Sequence, residues 1–348
     1  MNTTVFFATN RKRSGDGTKI TDYAGETGPA GLPGRVTHAM AHVSGTDLSQ
    51  LEAGRIDRID GVSPDVFSKA VQQDLTGRKN LLIFLHGFAN GFSDSITRAA
   101  FNREWFALGG SDCTVVAFSW PSAGVIVSGE SLVPGLIVAP LSLVLLGAGI
   151  VASPWADAYL ADQDGAMASA ADVLSFLDRL HPIAQKVRAR GGRVILLAHS
   201  MGNLALQSAL DRRVSMGLQG DLHFDEAISV AADAAHEEMG HGPDWLQHLG
   251  KVSGRVSVYH SRADVILQLS RKVNRGKRLG DAGPVDLTEP GRYPISRFRF
   301  VDCSALHDDG PNPSIDMSHQ YYRRIPAVRD DIANTMEGGG PTGVMVLT

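Results

Sequence analysis

One serine stands where it could act as a nucleophile, in the stretch Ala198-His199-Ser200-Met201-Gly202. An apolar run precedes this stretch and a helical pattern follows it, as in G-x-S-x-G turns, where a sharp strand-to-helix turn exposes the serine above a sheet. Alanine replaces the first glycine, and its side chain is small enough for the same turn. A serine hydroxyl needs a base to accept its proton and a third group to orient that base. The pattern therefore predicts a nucleophile that requires an acid and a histidine.

Side chains of the two required types follow the serine in the chain. Asp264 comes shortly after a predicted strand, and His319 follows the last predicted strand. The order nucleophile, acid, histidine is the one that accompanies G-x-S-x-G turns. We therefore predict that Ser200, Asp264 and His319 form a catalytic triad, with His319 as the base and Asp264 orienting its imidazole.

Other residues remain open for two of these roles. Asp233 also ends a predicted strand and is the main alternative for the acid. His307 follows the last strand and is the alternative base. Further acidic alternatives near that strand are Asp302, Asp308, Asp309 and Asp316. If Ser200 only capped a helix, the positions of Asp264 and His319 after predicted strands would have no explanation.

Backbone amides near the serine could stabilise negative charge on a substrate oxygen. The predicted strand at residues 81–85 ends in His86-Gly87-Phe88. The N–H groups of Phe88 and Met201 would converge on the oxygen that gains charge in acyl transfer, so we predict them as the oxyanion hole. The predicted substrate-binding residues are His86, Gly87, Trp120, Leu136, Leu141 and Leu145.

Short apolar runs alternate with longer helical patterns, which is typical of strand–helix–strand units and a mainly parallel sheet. Strands are predicted at residues 5–9, 35–43, 81–85, 114–120, 193–199, 226–232, 255–260 and 297–303, and helices at 64–75, 163–190, 201–213 and 319–335. Because parallel strands end at a shared edge, the residues that follow them can meet there. We predict one α/β domain over residues 1–348, with a flexible tail at 338–348.

An apolar segment interrupts this alternation, since residues 133–152 include no charged side chain. Its length approaches that of a transmembrane helix. However, Pro134 and Pro140 lie inside it, and no cluster of Lys or Arg flanks it. We therefore predict a lid or cap insertion at residues 122–160, with an interfacial membrane segment and a true span as open alternatives. A lid over the serine would favour substrates with an apolar acyl or alcohol part.

These features resemble the α/β-hydrolase superfamily and, more narrowly, a bacterial esterase/lipase-like group once catalogued as a domain of unknown function. The resemblance is carried by residues 5–11, 85–88, 118–122 and 198–203 and by the segments around Asp264 and His319. It implies an α/β-hydrolase fold, with a mostly parallel sheet flanked by helices, and a serine hydrolase that cleaves carboxylic esters through an acyl-enzyme. It implies no particular substrate, and the long apolar segment departs from the pattern.

Composition excludes several other classes of protein. The 348 residues are 43% hydrophobic and 20% charged, as in packed globular chains. The net charge of -4 provides no electrostatic footprint for nucleic acid, which we do not expect as a partner. Two cysteines, Cys113 and Cys303, are too few for a disulfide framework or a Cys-based zinc site.

No metal or cofactor is predicted. His236 and His241 are five residues apart, whereas a zinc-protease helix needs two histidines four apart. Neither a P-loop nor a dinucleotide-binding pattern is present in the sequence.

The sequence also leads to expectations about location and partners. Its start lacks a basic segment followed by a long apolar stretch, so we expect no signal peptide and a cytoplasmic protein, with peripheral membrane contact through the apolar segment left open. The expected partner is a small-molecule or lipid-like ester. A thioesterase or acyltransferase with the same triad remains an alternative, as does a non-catalytic module that binds a membrane surface or a protein. The oligomeric state does not follow from the sequence.

Overall fold

A ten-stranded sheet runs through the protein in the computed structural model, which describes residues 1–27, 35–122, 153–218, 223–236, 245–284, 291–311 and 318–348. The strands of the described residues are β1 (Thr3–Thr9), β2 (Arg11–Arg13), β3 (Tyr23–Thr27), β4 (Thr37–Ser44), β5 (Arg55–Val62), β6 (Asn80–Leu85), β7 (Cys113–Ser119), β8 (Val194–His199), β9 (Glu226–Val230), β10 (Val256–His260), β11 (Phe298–Asp302) and β12 (Gly343–Val346). The sheet order is β12-β11-β10-β9-β8-β6-β7-β1-β4-β5, while β2 and β3 form a separate antiparallel pair. Among the described strands of the large sheet, the pairs β1–β4 and β4–β5 are antiparallel and the other pairs are parallel.

Helices cover both faces of this sheet. Those in the described part of the chain are α1 (Pro64–Asp74), α2 (Phe92–Leu108), α3 (Ser153–Ala168), α4 (Ala170–Ala189), α5 (Gly202–Ser215), α6 (Trp245–Lys251), α7 (Val265–Asn274), α8 (Leu279–Ala282) and α9 (Pro326–Met336). One hydrophobic core contains buried side chains of α1, α3, α4, α5 and α6, and the other contains those of α2 and α9. The predicted α/β fold, with a mostly parallel sheet flanked by helices, is confirmed.

The central strands read as continuous apolar runs because both of their faces are covered. Leu81, Ile83 and Leu85 of β6 belong to one core, whereas Leu82 and Phe84 belong to the other. Side chains along a strand alternate between its two faces, so a strand buried on both needs apolar residues at every position. This packing places the carboxyl end of β6 beside that of β8, where the predicted nucleophile follows.

Two predicted elements near the carboxyl terminus differ from the structure. The last helix is predicted at residues 319–335, but α9 begins only at Pro326, because a residue that precedes proline disfavours helical backbone. The sequence predicts a flexible tail at 338–348, but β12 pairs in parallel with β11. Met345 and Leu347 pack against the core, and the N–H of Leu347 donates to the carbonyl of Asp302 at 3.0 Å. An open strand edge and an apolar run explain why this part of the tail is ordered.

The predicted lid at residues 122–160 falls mainly on residues 123–152, which lie outside the described residues. Leu136, Leu141 and Leu145 lie there too, so their predicted contact with substrate stays a prediction. Within the described part of the chain, none of the helices is both long and apolar enough to cross a bilayer.

Candidate active site

The predicted nucleophile occupies a strained turn between β8 and α5. Ser200 has a φ of 54°, in the left-handed region that costs a non-glycine residue on the order of 1–3 kcal/mol. Neighbouring strands fix this backbone: the N–H of Ser200 donates to the carbonyl of Val230 at 3.0 Å, and the N–H of Asp233 donates to the carbonyl of Ser200 at 3.1 Å. Strain of this kind persists only where surrounding contacts hold it, and it is common at functional sites.

Two glycines make room for this turn. A Cβ atom on Gly87 would lie 2.6 Å from the Cβ of Ser200, and one on Gly202 would lie 2.5 Å from the carbonyl oxygen of His86. Real Cβ atoms do not approach other atoms so closely. The loop after β6 therefore rests directly against Ser200, and only glycine fits at either contact. Ala198, in place of the first glycine of the pattern, is buried in β8.

The predicted acid and base are in direct contact. Asp264 Oδ2 lies 2.7 Å from His319 Nδ1, and both side chains are buried. Asp264 is also the N-cap of α7, where its Oδ1 accepts from the N–H of Leu267 at 3.0 Å. Burial raises the pKa of the Asp264 carboxyl, whereas His319 and the Leu267 N–H act to lower it. A proton held on Nδ1 towards Asp264 leaves Nε2 as the basic nitrogen of a neutral imidazole.

His199 brings the segment of His319 to the turn that holds Ser200. The rings of His199 and His319 pack with their centroids 4.8 Å apart, and His199 Nε2 lies 3.2 Å from the carbonyl oxygen of His319, to which it can donate. Burial lowers the pKa of His199, which keeps its imidazole neutral. Ser200 Oγ is buried and forms no hydrogen bond with any described residue. The Ser200–His319 proton transfer stays a prediction, with both residues on the same edge of the sheet.

The alternative acids have other partners. Asp233 is buried, with Oδ1 2.7 Å from Arg278 Nε and Oδ2 accepting from the Tyr159 hydroxyl at 2.8 Å. Asp302 accepts from the backbone of Ser304, Asp308 pairs with Arg324, and Asp309 and His307 line a groove beside Trp105 and Pro326. Asp316 lies outside the described residues. Among the carboxylates that the structure describes, Asp264 is the one that contacts His319.

Hydrogen bonds fix the orientation of peptide groups in the loop after β6, next to Ser200. The side-chain amide of Asn90 donates to the carbonyl oxygens of Gly87 at 2.8 Å and Phe88 at 2.7 Å. In a planar trans peptide the N–H points opposite to the preceding carbonyl, so the Phe88 N–H points away from Asn90. Met201 is the N-cap of α5, where an N–H has no acceptor inside the helix. This geometry is compatible with the predicted pair of oxyanion-hole amides.

His86 and Trp120 form a buried pair under the same loop. Their rings stack with centroids 4.8 Å apart, and Trp120 Nε1 donates to the carbonyl of His86 at 2.8 Å. Burial lowers the pKa of His86 to about 3, so the ring is neutral at pH 7 and donates from one nitrogen only. The pair braces the ends of β6 and β7, and its predicted contact with substrate, like that of Gly87, stays a prediction.

Four residues near the site received no role in the reasoning from sequence, although Arg11 belongs to a segment that carries the family resemblance. Arg11 and Asn90 bond to the loop after β6, and Asp162 accepts from the N–H of Ala89 at 3.3 Å. The ring of Tyr159 packs edge-on against that of Phe88, with the centroids 5.5 Å apart. Arg11 follows the end of β1, so the rule that selected Asp264, a polar residue after a parallel strand, could have found it.

Comparison with known proteins places most of the chain in one family. A family model described as alpha/beta hydrolase of unknown function (DUF900) matches residues 63–335. No curated protein matches the chain. The matched range begins before β6 and includes Ser200, Asp264 and His319, so it covers the whole of the predicted triad.

Proposed function

The chain belongs to this family of alpha/beta hydrolases, and from that premise we propose that it is a serine hydrolase that cleaves carboxylic esters. One observation carries the proposal: the 2.7 Å contact between the carboxylate of Asp264 and Nδ1 of His319, on the sheet edge where Ser200 occupies a strained turn. A buried carboxylate bonded to a histidine at that edge is the orienting half of a triad. The mechanism also requires that Ser200 transfers its proton to His319, which the experiments below test.

In the proposed mechanism, His319 Nε2 accepts the proton of Ser200 as Oγ bonds to the ester carbonyl carbon. The N–H groups of Phe88 and Met201 donate to the oxygen that becomes negatively charged. Collapse of this intermediate breaks the ester C–O bond, and the alcohol leaves with the proton from His319. Water then attacks the acyl-enzyme, giving its proton to His319, and the carboxylic acid leaves as Ser200 regains a proton. Asp264 holds the imidazole in the required tautomer throughout.

An apolar acyl or alcohol part is the substrate feature that we propose in addition. It is supported by the uncharged sequence at residues 133–152, between the end of β7 and the start of α3. A series of p-nitrophenyl esters of increasing acyl length tests this preference. A kcat/KM that rises with acyl length is the expected result, and a flat series would contradict it.

Labelling with a fluorophosphonate tests the serine itself. Intact mass should show one adduct on the wild type and none on Ser200→Ala, whose hydrolysis of p-nitrophenyl esters should fall by a factor on the order of 10⁴ or more. Ser68→Ala, at a partly buried position of α1, is the control and should keep both the adduct and the activity. An adduct on Ser200→Ala, or a folded wild type that neither reacts nor hydrolyses any ester of the series, would overturn the proposed function.

A further inference from the structure

The side chain of Arg11 is buried beneath the loop after β6. It is only 2% exposed, and within the described part of the chain it bonds to Asn90, Ser119 and Ser122. Its Nη2 donates to the carbonyl of Asn90 at 2.9 Å, Nη1 to the carbonyl of Ser122 at 3.0 Å, and Nε to Ser119 Oγ at 3.0 Å. The fixed planar fork of a guanidinium sets the directions of these N–H groups together. Arg11 therefore holds the end of β7 and the loop after β6 at a set separation.

Asn90 transmits this restraint to the peptide that faces Ser200. Its N–H donates to Ser122 Oγ at 3.1 Å, and Arg11 holds its carbonyl, so the main chain of Asn90 is fixed on both sides. Its side-chain amide in turn donates to the carbonyl oxygens of Gly87 and Phe88. Asn90 thus links the guanidinium of Arg11 directly to the peptide between Gly87 and Phe88.

The loop is not in a relaxed conformation. Ala89, between the two restrained peptides, has a φ of 54°, in the region that is strained for a side chain with a Cβ atom. The N–H of Ala89 is held by Asp162, and this carboxylate also accepts from the hydroxyl of Ser122. A strained loop changes shape when its restraints are removed, so the direction of its peptides depends on these buried polar groups.

We propose that Arg11 is a positioning residue for the oxyanion hole, acting through Asn90 on the peptide between Gly87 and Phe88. The inference rests on the proposed function, since it assigns a role to a group that supports the Phe88 N–H. Donors of this kind stabilise the transition state more than the bound substrate, so their displacement lowers kcat and leaves KM nearly unchanged. A displacement of about 1 Å can cost a factor on the order of 10² in rate.

Burial does not neutralise the guanidinium. It lowers the pKa of Arg11 to about 10, with the carboxylates of Asp162 and Asp94 acting in the opposite direction. Arg11 therefore remains a cation at neutral pH. Lysine at this position would keep the charge but lose the planar fork, so Arg11→Lys separates the direction of the hydrogen bonds from the charge.

The chain offers a matched control for each of the two residues. Arg299 is fully buried as well, but it bonds to Asp331 of α9 and Tyr259 of β10, which both lie outside the loop after β6. Asn102 is a buried asparagine of α2 whose side-chain amide makes no hydrogen bond within the described part of the chain. Arg299→Lys and Asn102→Ala therefore report the cost of altering a buried arginine or asparagine away from the site.

The test compares kcat and KM for a p-nitrophenyl ester, and the melting temperature, in Arg11→Lys, Asn90→Ala and the two controls. We expect kcat to fall by a factor of about 10 to 100 in both site variants, with KM within about threefold of the wild type. Arg299→Lys and Asn102→Ala should keep kcat within about twofold, even where their melting temperatures fall as far. If Arg11→Lys does not fold, Asn90→Ala carries the same comparison with Asn102→Ala.

Two results would overturn the inference. A wild-type kcat in folded Arg11→Lys and Asn90→Ala would show that the loop needs neither residue, and so would an equal loss of kcat in the controls, which would trace it to general destabilisation. Both leave the proposed function standing, because the wild type is active. A wild type with no esterase activity and no fluorophosphonate adduct would instead remove the proposed function, and this inference with it.

Discussion

Two buried aspartates near Ser200 differ in the side chain that each one contacts. Asp264 contacts the imidazole of His319, whereas Asp233 pairs with the guanidinium of Arg278. An imidazole can exchange a proton during a reaction, whereas a guanidinium cannot act as an acid or a base in the same way. The same change, from carboxylate to amide, should therefore affect turnover at one position and stability at the other.

Asp264→Asn should lower kcat by a factor on the order of 10³ to 10⁴, because the amide no longer stabilises the required tautomer of His319. Asp233→Asn should lower the free energy of unfolding by about 3–5 kcal/mol, because it leaves Arg278 buried without its counterion, while the folded enzyme keeps most of its kcat. Ester hydrolysis measures kcat, and urea unfolding measures the free energy of unfolding, in both variants. If Asp233→Asn lost turnover and Asp264→Asn kept it, Asp233 would be the acid.

Reasoning from sequence reaches the triad candidates but not the residues that support them. Ser200, Asp264 and His319 are selected by residue type, chain order and position after a strand, and all three properties can be read from the sequence. The role of Arg11 or Asn90 depends on which carbonyl each side chain meets after folding. A hydrogen bond across 79 positions of the chain has no local signature.

At the scale of elements, the close approach of α5 to β6 holds Ser200 in its turn. Gly202, the first residue of α5, lies so near β6 that an added Cβ would be 2.6 Å from the carbonyl oxygen of Leu85. Ser200 lies two residues before this helix start, and the loop that follows β6 rests against it at Gly87. A methyl group at this point should therefore displace the helix and the nucleophile together.

Gly202→Ala should reduce stability by about 1–3 kcal/mol, as overpacking does in a close-packed interior, and should also lower kcat. Gly77→Ala is the control, because a Cβ on Gly77 would meet no atom within 4 Å, and its effect should stay within about 0.5 kcal/mol. Urea unfolding followed by circular dichroism, together with ester hydrolysis, checks both variants. Equal stability of the two variants would mean that the backbone at residue 202 has more room than the structure describes.

The sequence predicts elements best where both faces are buried. The runs that form β6 and β8 are apolar throughout, and their strands lie within one residue of the predicted bounds. β5 is not predicted from the sequence. It is an edge strand that is largely open to solvent, so charged residues interrupt the apolar pattern in Arg-Ile-Asp-Arg-Ile-Asp-Gly-Val. For β12, pairing with the open edge of β11 outweighs the glycine-rich composition of the tail.

For the whole molecule, buried neutral histidines make stability depend on pH. Burial lowers the pKa of His86 to about 3 and that of His38 to about 4, and it also lowers that of His199. Below the ordinary histidine pKa of 6.5, the unfolded chain binds protons at these residues and the folded chain does not. Stability therefore falls as the pH falls from 6.5 towards 4. The raised pKa of Asp264 acts in the opposite direction, above 3.8.

Urea unfolding between pH 7 and pH 4.5 measures this loss. Well below pH 6.5, each of these three histidines, His38, His86 and His199, should contribute about 1.4 kcal/mol per pH unit to the slope. His86→Gln should lower stability at pH 7 and make the slope shallower by about that amount. A slope in His86→Gln equal to that of the wild type would show that His86 does not resist protonation in the folded protein.

The hydrogen bond between Ser122 and Asp162 joins the two chain segments on either side of residues 123–152. The carboxylate of Asp162 also accepts from the N–H of Ala89, and the carbonyl of Ser122 accepts from Arg11. The hydrogen bonds that support the candidate oxyanion hole therefore lie beside both ends of this segment. Because these bonds lie on both sides of the stretch, we expect it to be exchangeable. During evolution or in a designed chimera, its length and sequence should be able to change while these supports of the candidate oxyanion hole keep their positions.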